Sequence, residues 1–311
     1  MDKANILTAP MWVRMAATVI GRLPAGRYRV ISEICRRPPP PFLMSMLAEM
    51  GGFTFKCDLR DAISREVCFT GRYEPQETAL VQSILGPGMT FVDVGANWGY
   101  FTLLAAHLVG KGGRVVSLEP DPRLFPVLHE SIIRNQLEHV IALQVAAASE
   151  DGTLKLAGYR ESSDNFGISR IVSEGEQEST FDVIARPLDS LFDELGIHNI
   201  DFLKMDIEGF EGYALSGLEN SLSQLRIKRL LIELHPVEIA GHGQSVKSII
   251  GKLRDFGYSA WRLDHSKVGT RRAAYSKQLD IKGSLRPLDE GVALDDWPHV
   301  LWTMPGLEPL W

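Results

Sequence analysis

Two stretches of this 311-residue chain carry residue types whose spacing suits chemistry. The first is Phe91–Tyr100 (FVDVGANWGY), an apolar run past Asp93 that passes through Gly95 and Gly99 into a helix. Glycines in such a turn let backbone approach a ligand and adopt positive φ, as nucleotide-type turns require. The spacing Gly95-x-x-x-Gly99 is not that of G-x-G-x-x-G, which argues against an NAD-type oxidoreductase. The second stretch is Asp201–Glu211 (DFLKMDIEGFE), followed by Leu230–Pro236 (LLIELHP). Strand alternation puts Phe202, Lys204 and Asp206 on one face, and Glu233 with His235 on one face of the next strand. A lysine and a glutamate inside apolar strands are costly unless paired. We therefore expect a Lys204–Glu233 ion pair, with Asp206 beside His235. Open α/β sheets bind ligands outside the carboxyl ends of their strands, where Asp206, Glu208 and His235 emerge. Of these, His235 has the intrinsic pKa best suited to a general base, and Asp206 is the second candidate.

The elements that must position these residues can be read from the pattern. Residues 5–35 show helical periodicity broken by Pro10 and Pro24, and Pro38–Pro41 reads as a stiff extended spacer. Gly52–Leu59 and Glu66–Thr70 read as a β-hairpin turned at Arg60–Arg65, with Cys57 and Cys68 facing each other as buried thiols. From Glu74 onward helix and strand alternate. Gln76–Leu85, Tyr100–Leu108 and Pro122–Asn135 read as helices, while Met89–Val94, Arg114–Leu118 and Val140–Ala147 read as strands. Such alternation implies parallel pairing in a doubly wound sheet. Thr153–Ala157 and Thr180–Ala185 then bracket a polar loop, Gly158–Ser179, of a length usually functional or disordered. Leu188–Leu195, Glu211–Leu218 and Val246–Phe256 follow as helices, with strands at Asp201–Asp206, Arg229–Leu234, Tyr258–Leu263 and His299–Met304. We expect an N-terminal helical and hairpin extension over residues 1–74 and an α/β domain over 75–311.

The pattern Asp-x-Gly-x-Asn-x-Gly at Asp93–Gly99 resembles the first motif of S-adenosylmethionine-dependent methyltransferases. Asn97 stands where glycine is common, and asparagine tolerates the left-handed backbone. The donor's amino-acid end carries a carboxylate, which suits helix-start N–H groups. Glu119 in SLEPD121, 20 residues after Gly99, sits where an acid would bind the ribose hydroxyls. Taken in order, VDVGANWGY, SLEP, Leu188-Asp189, FLKMDIEGFE and LIELH make residues 75–265 similar to the FkbM family of these enzymes. The resemblance implies a Rossmann-like seven-stranded sheet with its last strand antiparallel. It implies a donor site formed by Asp93, Gly95, Ala96, Asn97, Gly99, Tyr100, Glu119, Pro120, Ala147 and Asp206. It also implies O-methylation of a hydroxyl on a sugar, a glycoconjugate or a polyketide-type metabolite.

Methyl transfer to oxygen is an in-line displacement at carbon, for which positioning supplies ~7–11 kcal/mol and a base ~10²–10⁴ in rate. His235 and Asp206 are the expected catalytic groups. Asn165, Phe166 and Glu208 are expected to meet the acceptor, the first two from a loop hinged at Gly167. A rival version has Mg²⁺ held by Asp206, Glu208 and His235, with Glu211 a weaker fourth ligand; no metal is expected, and chelation would decide. The alternatives are N-methylation of a small molecule, or a module that holds S-adenosylmethionine or a nucleoside without turnover. Gly95→Val should abolish donor binding by filling the ligand's approach. Glu119→Ala should weaken the donor without altering the fold.

Lys plus Arg 33 against Asp plus Glu 39, a net −6, is the wrong balance for a nucleic-acid binder, so no nucleic-acid partner is expected. Hydrophobic residues at 45% and charged residues at 23% exclude coiled coil and wholesale disorder. Residues 1–40 run the other way, with a local sum of +5, which suits weak peripheral contact with an anionic membrane. Three cysteines without metal spacing, no convincing signal peptide and no transmembrane run point to a cytoplasmic protein.

Overall fold

The structure, a computed structural model, describes residues 9–23, 25–158, 169–172, 180–276, 279–289 and 297–310. Its strands in chain order begin with β1 (Phe42–Ser45), β2 (Thr54–Cys57), β3 (Thr90–Val94), β4 (Arg114–Leu118) and β5 (Val140–Leu143). Next come β6 (Ala146–Ala147), β7 (Gly152–Ala157), β8 (Arg170–Val172), β9 (Thr180–Arg186) and β10 (Phe202–Met205). The last four are β11 (Arg229–Glu233), β12 (Ser259–Leu263), β13 (Leu285–Pro287) and β14 (His299–Thr303).

The central sheet runs β13-β12-β14-β11-β10-β3-β4-β5. Strands β3, β4, β5, β10 and β11 pair in parallel, and β14 is antiparallel between β11 and β12. This is the doubly wound order expected, with the last strand reversed. It differs in one respect: β13, from a stretch with no strand signal, pairs antiparallel to β12 and makes the sheet eight-stranded rather than seven.

Alternation along the strands builds a core on each face. Val92, Val94, Leu203, Met205, Leu230 and Ile232 pack on one side, while Phe91, Phe202 and Leu231 face the other. Phe91 and Phe202 are register partners with ring centroids 5.7 Å apart. Each fully buried ring of this kind contributes roughly 1.5–3 kcal/mol, so the pair fixes how β10 lies against β3. Their alignment brings the ends of both strands, Val94 and Met205, level with each other.

Three expectations are corrected here. The hairpin forms between β1 and β2, not with Glu66–Thr70, because Ala62–Thr70 is a helix capped by the Asp61 carboxylate on the Ser64 N–H at 2.8 Å. Cys57 and Cys68 do meet as buried free thiols, but one comes from a strand and the other from that helix. Val140–Ala147 is two strands, since the chain leaves the central sheet after Leu143. Ala146–Ala147 then joins a second sheet, β6-β9-β7-β8. Part of the anticipated polar loop is strand β8, paired to β7, whereas Asn165 and Phe166 lie outside the described residues.

The N-terminal extension shares the main core. Val13, Ile31, Phe55 and Cys68 belong to the same buried cluster as Trp98, Leu103 and Phe202, and Phe55 stacks on Trp98 at 4.7 Å. Among the described residues no helix is long and apolar enough to cross a membrane.

Candidate active site

The turn after β3 is held from three sides. Gly95 N–H and Ala96 N–H both donate to the Leu118 carbonyl, at 3.0 and 2.9 Å, tying the turn to the end of β4. Gly95, Asn97 and Gly99 all have positive φ (85°, 53° and 101°), and the Asn97 side chain accepts the Trp98 N–H at 2.7 Å. An added Cβ at Gly95 would overlap the Asp206 carbonyl oxygen beyond β10. The need for glycine there is therefore close backbone packing, which corrects the expectation that a side chain would fill the ligand's approach. At Gly99 an added Cβ would fall 2.6 Å from Leu128 Cδ1, so this glycine serves helix packing.

Glu119 locks the turn to the second strand. Its Oε2 accepts the Asn97 N–H at 2.7 Å and its Oε1 accepts the Asp121 N–H at 2.8 Å. The residue is 4% exposed, and burial pushes its carboxyl up to about 8 despite those two donors. Each oxygen keeps capacity for a further hydrogen bond. Beside it Asp121 binds the Arg123 guanidinium at 2.7 Å and accepts the Ser169 hydroxyl at 2.7 Å, pinning the second sheet over the strand ends.

Between these parts lies a cavity. Of the residues singled out from sequence, Gly95, Ala96, Asn97, Tyr100, Glu119, Pro120, Ala147, Asp206 and Glu208 line it. Asp93, Gly99 and His235 do not. Asp93 sits beneath the turn and accepts the Thr102 hydroxyl at 2.7 Å, a supporting position rather than the lining one expected. Leu118, Val145 and Ile171 give the cavity apolar walls, while Ile63 and Tyr73 reach it from the N-terminal extension. Trp98 also lines it, and its indole N–H is buried with no partner among the described residues.

The acidic end of the cavity is the second corrected region. Lys204 pairs with Asp206 at 3.2 Å and lies over the Phe101 ring at 4.8 Å. It does not pair with Glu233, whose carboxylate is instead 3.0 Å from His299 Nε2. Burial alone would lower the Lys204 pKa, but Asp206, Glu74 and Asp93 hold it well above its ordinary value. Asp206, which burial would raise, is held below the usual carboxylate range by Lys204 and His235.

Asp206 and His235 do come together, with Nε2 3.9 Å from Oδ1, and Glu208 Oε2 lies 3.4 Å from the same nitrogen. Sequence reasoning did not foresee what holds the imidazole. Glu211, considered above only as a weaker fourth metal ligand, is fully buried and sits 2.9 Å from His235 Nδ1. Burial opposes the imidazolium, yet the Glu211 hydrogen bond and the Asp206 carboxylate raise His235 to about 9. Burial, with Asp206 next, pushes Glu208 up to about 8. Glu208 has a φ of 52°, a conformation sparsely populated by residues other than glycine, and Gly209 follows at 101°. Single ligand atoms of Asp206, Glu208 and His235 lie within 4.8 Å of one another, close enough to share a cation.

Chemically, the cavity joins a backbone turn and a buried acid at one end to the Asp206 and Glu208 carboxylates, backed by His235, at the other. The family model described as the Methyltransferase FkbM domain matches residues 93–260, over half of the chain and the whole of this constellation up to His235. The chain belongs to the FkbM family of S-adenosylmethionine-dependent methyltransferases. It is 26% identical over 204 residues to 31-O-demethyl-FK506 methyltransferase FkbM of Streptomyces tacrolimicus, covering 56% of this chain and 74% of that one. It is 25% identical over 223 residues to the AMB antimetabolite synthetase AmbE of Pseudomonas aeruginosa, covering 61% of this chain and 10% of AmbE. The methyltransferase FkbM structure from Methylobacillus flagellatus aligns with a TM-score of 0.43 at 17% identity, over 77% of this chain and 52% of that one. The FkbM-family chain described here thus spans about half the length of that solved chain and a tenth of AmbE.

Proposed function

We propose that this chain transfers a methyl group from S-adenosylmethionine to a hydroxyl oxygen on a sugar, glycoconjugate or polyketide-type acceptor. The observation that carries the donor assignment is Glu119, buried in the cavity wall beside the glycine turn and bonded through both oxygens to the Asn97 and Asp121 N–H groups. The turn from Gly95 to Tyr100 would receive the amino-acid end, and Leu118 and Val145 would flank the flat base. The acidic cluster at the far end suits a cationic sulfonium. The O-directed reading draws on the relative named as a 31-O-demethyl-FK506 methyltransferase, whose name places its reaction at an oxygen.

When bound, the donor supplies an electrophilic methyl on a positively charged sulfur. The chain must then align the acceptor and take its proton. Asp206 and Glu208 line the cavity and His235 stands behind them, so a carboxylate is the group that touches the acceptor. With His235 held as imidazolium below about pH 9, Glu208 is the better proton acceptor, its carboxyl being near 8 and matched to the task. Asp206, paired with Lys204, is a weaker base and a better orienting group. This reading assigns His235 to positioning rather than direct proton abstraction. A divalent cation between Asp206, Glu208 and His235 would compete with that arrangement, and full activity after chelation would exclude it.

Calorimetry tests the donor assignment: S-adenosylhomocysteine should bind at micromolar Kd or tighter, and NAD not at all. The absence of S-adenosylhomocysteine binding would remove the basis for the reading. Mass spectrometry of metabolites methylated on overexpression would then identify the acceptor class.

A further inference from the structure

The helix Met11–Ile20 has two apolar faces. Val13 and Ile20 are buried in the main core. Met11, Met15 and Val19, one turn apart, form a second stripe with Trp12 at its border, and they are 75%, 65%, 62% and 43% exposed. Exposed apolar side chains scattered singly need no explanation, but four along a ten-residue helix form a contiguous patch. The patch is set in positive charge. Arg14 and Arg22 on and just after the helix are exposed, as are Arg29, Arg36 and Arg37 nearby. Glu33 is the one carboxylate among residues 9–40, and it pairs with Arg36 at 2.8 Å.

We propose that this helix is a docking surface for an anionic lipid bilayer. An apolar stripe flanked by arginines, lying along the surface rather than crossing it, is the pattern of an interfacial helix. Trp12 is the residue type favoured at headgroup depth. Charge complementarity selects the occupant, because a second copy of this chain would set Arg14 and Arg22 against their own counterparts. The helix packs against Ala62–Thr70, whose Ile63 lines the cavity. Docking would therefore hold the cavity one helix layer from the lipid. If the methyl-transfer reading holds, that position favours a lipid-borne acceptor; the docking itself does not depend on it.

The test is flotation of the full chain with vesicles of phosphatidylcholine alone and of phosphatidylcholine mixed with phosphatidylglycerol. Partitioning should be at least tenfold stronger on the mixed vesicles and should weaken as salt is raised. Met15→Glu with Val19→Glu should remove it, and both positions are exposed enough for the variant to fold. Each arginine near an anionic surface is worth about fivefold, so Arg14→Glu with Arg22→Glu should cost at least twentyfold. Equal partitioning on both vesicles, or none, would overturn the proposal. So would a dimer in solution that Met15→Glu splits, since the stripe would then be covered by protein. Donor calorimetry on the same variants keeps this result separate from the cofactor assignment.

Discussion

Glu211 Oε1 lies 2.9 Å from His235 Nδ1, joining the start of a short helix to the end of β11 through two buried side chains. The same oxygen accepts the Gly209 N–H at 3.1 Å, so one carboxylate fixes both the imidazole and the loop that carries Glu208. Glu211→Gln should lower kcat by roughly 10–100-fold, as loss of an orienting partner does elsewhere. The Kd for S-adenosylhomocysteine should stay within a few-fold of wild type. Equal losses in both measurements would make Glu211 a general support of the fold.

Glu119→Ala leaves the Asn97 and Asp121 N–H groups without their acceptor, at about 1–3 kcal/mol each. We therefore expect a lower melting temperature in addition to donor affinity weakened by at least tenfold. The fold itself should stay unaltered, as the sequence-based expectation has it, with these two bonds adding a stability cost. An unchanged dissociation constant would refute the ribose role.

Gly95→Ala is the sharper test of the turn. Its Cβ would overlap the Asp206 carbonyl oxygen, and the positive φ adds ~1–2 kcal/mol of strain. The variant should lose stability and donor binding together. Wild-type stability with lost binding would restore the idea of a side chain standing in the ligand's path.

On the proposed reading, Glu208 should set the pH dependence of turnover. With its carboxyl near 8, the proton-accepting form is the minority below that pH. The value of kcat/KM should rise roughly tenfold per pH unit on the acid side and level off above about 8. Glu208→Gln should be slow and flat. A wild-type profile that falls with rising pH over the same range would rule Glu208 out as the base.

His235 gives a stability test of opposite chemistry. Its folded-state pKa is raised from 6.5 to about 9, so the fold favours the protonated ring. That stabilisation is complete below pH about 6.5 and is lost as pH rises through about 9. Urea unfolding of wild type and His235→Gln at several pH values should show the difference between them shrinking across that window. A difference that grows instead would mean the ring is buried neutral.

Much of this was legible in the sequence where local pattern and tertiary need agree. The β3 turn, Glu119 and the Asp206–His235 approach follow from strand alternation and from where parallel strands end. Glu66–Thr70 misled because Val67, Phe69 and Thr70 favour strands, whereas the Asp61 cap and packing on Met11–Ile20 make that segment helical. Lys204 was given the wrong partner because the register sets it opposite Leu231, two residues short of Glu233, and leaves Asp206 as its partner at the strand end. Glu211 carried no signal beyond its place after Gly209, since a buried acid on a helix reads like a surface one. Strand β13 was invisible because it is three residues long and includes a proline.

The Phe55–Trp98 stack and the reach of Ile63 and Tyr73 have a practical corollary. A fragment trimmed to the matched stretch, residues 93–260, would keep Gly95–Tyr100 and Glu119 yet arrive with one side of its chamber stripped away. Swapping leaders between members of such a group should therefore reshape what fits inside, not merely how well the product expresses.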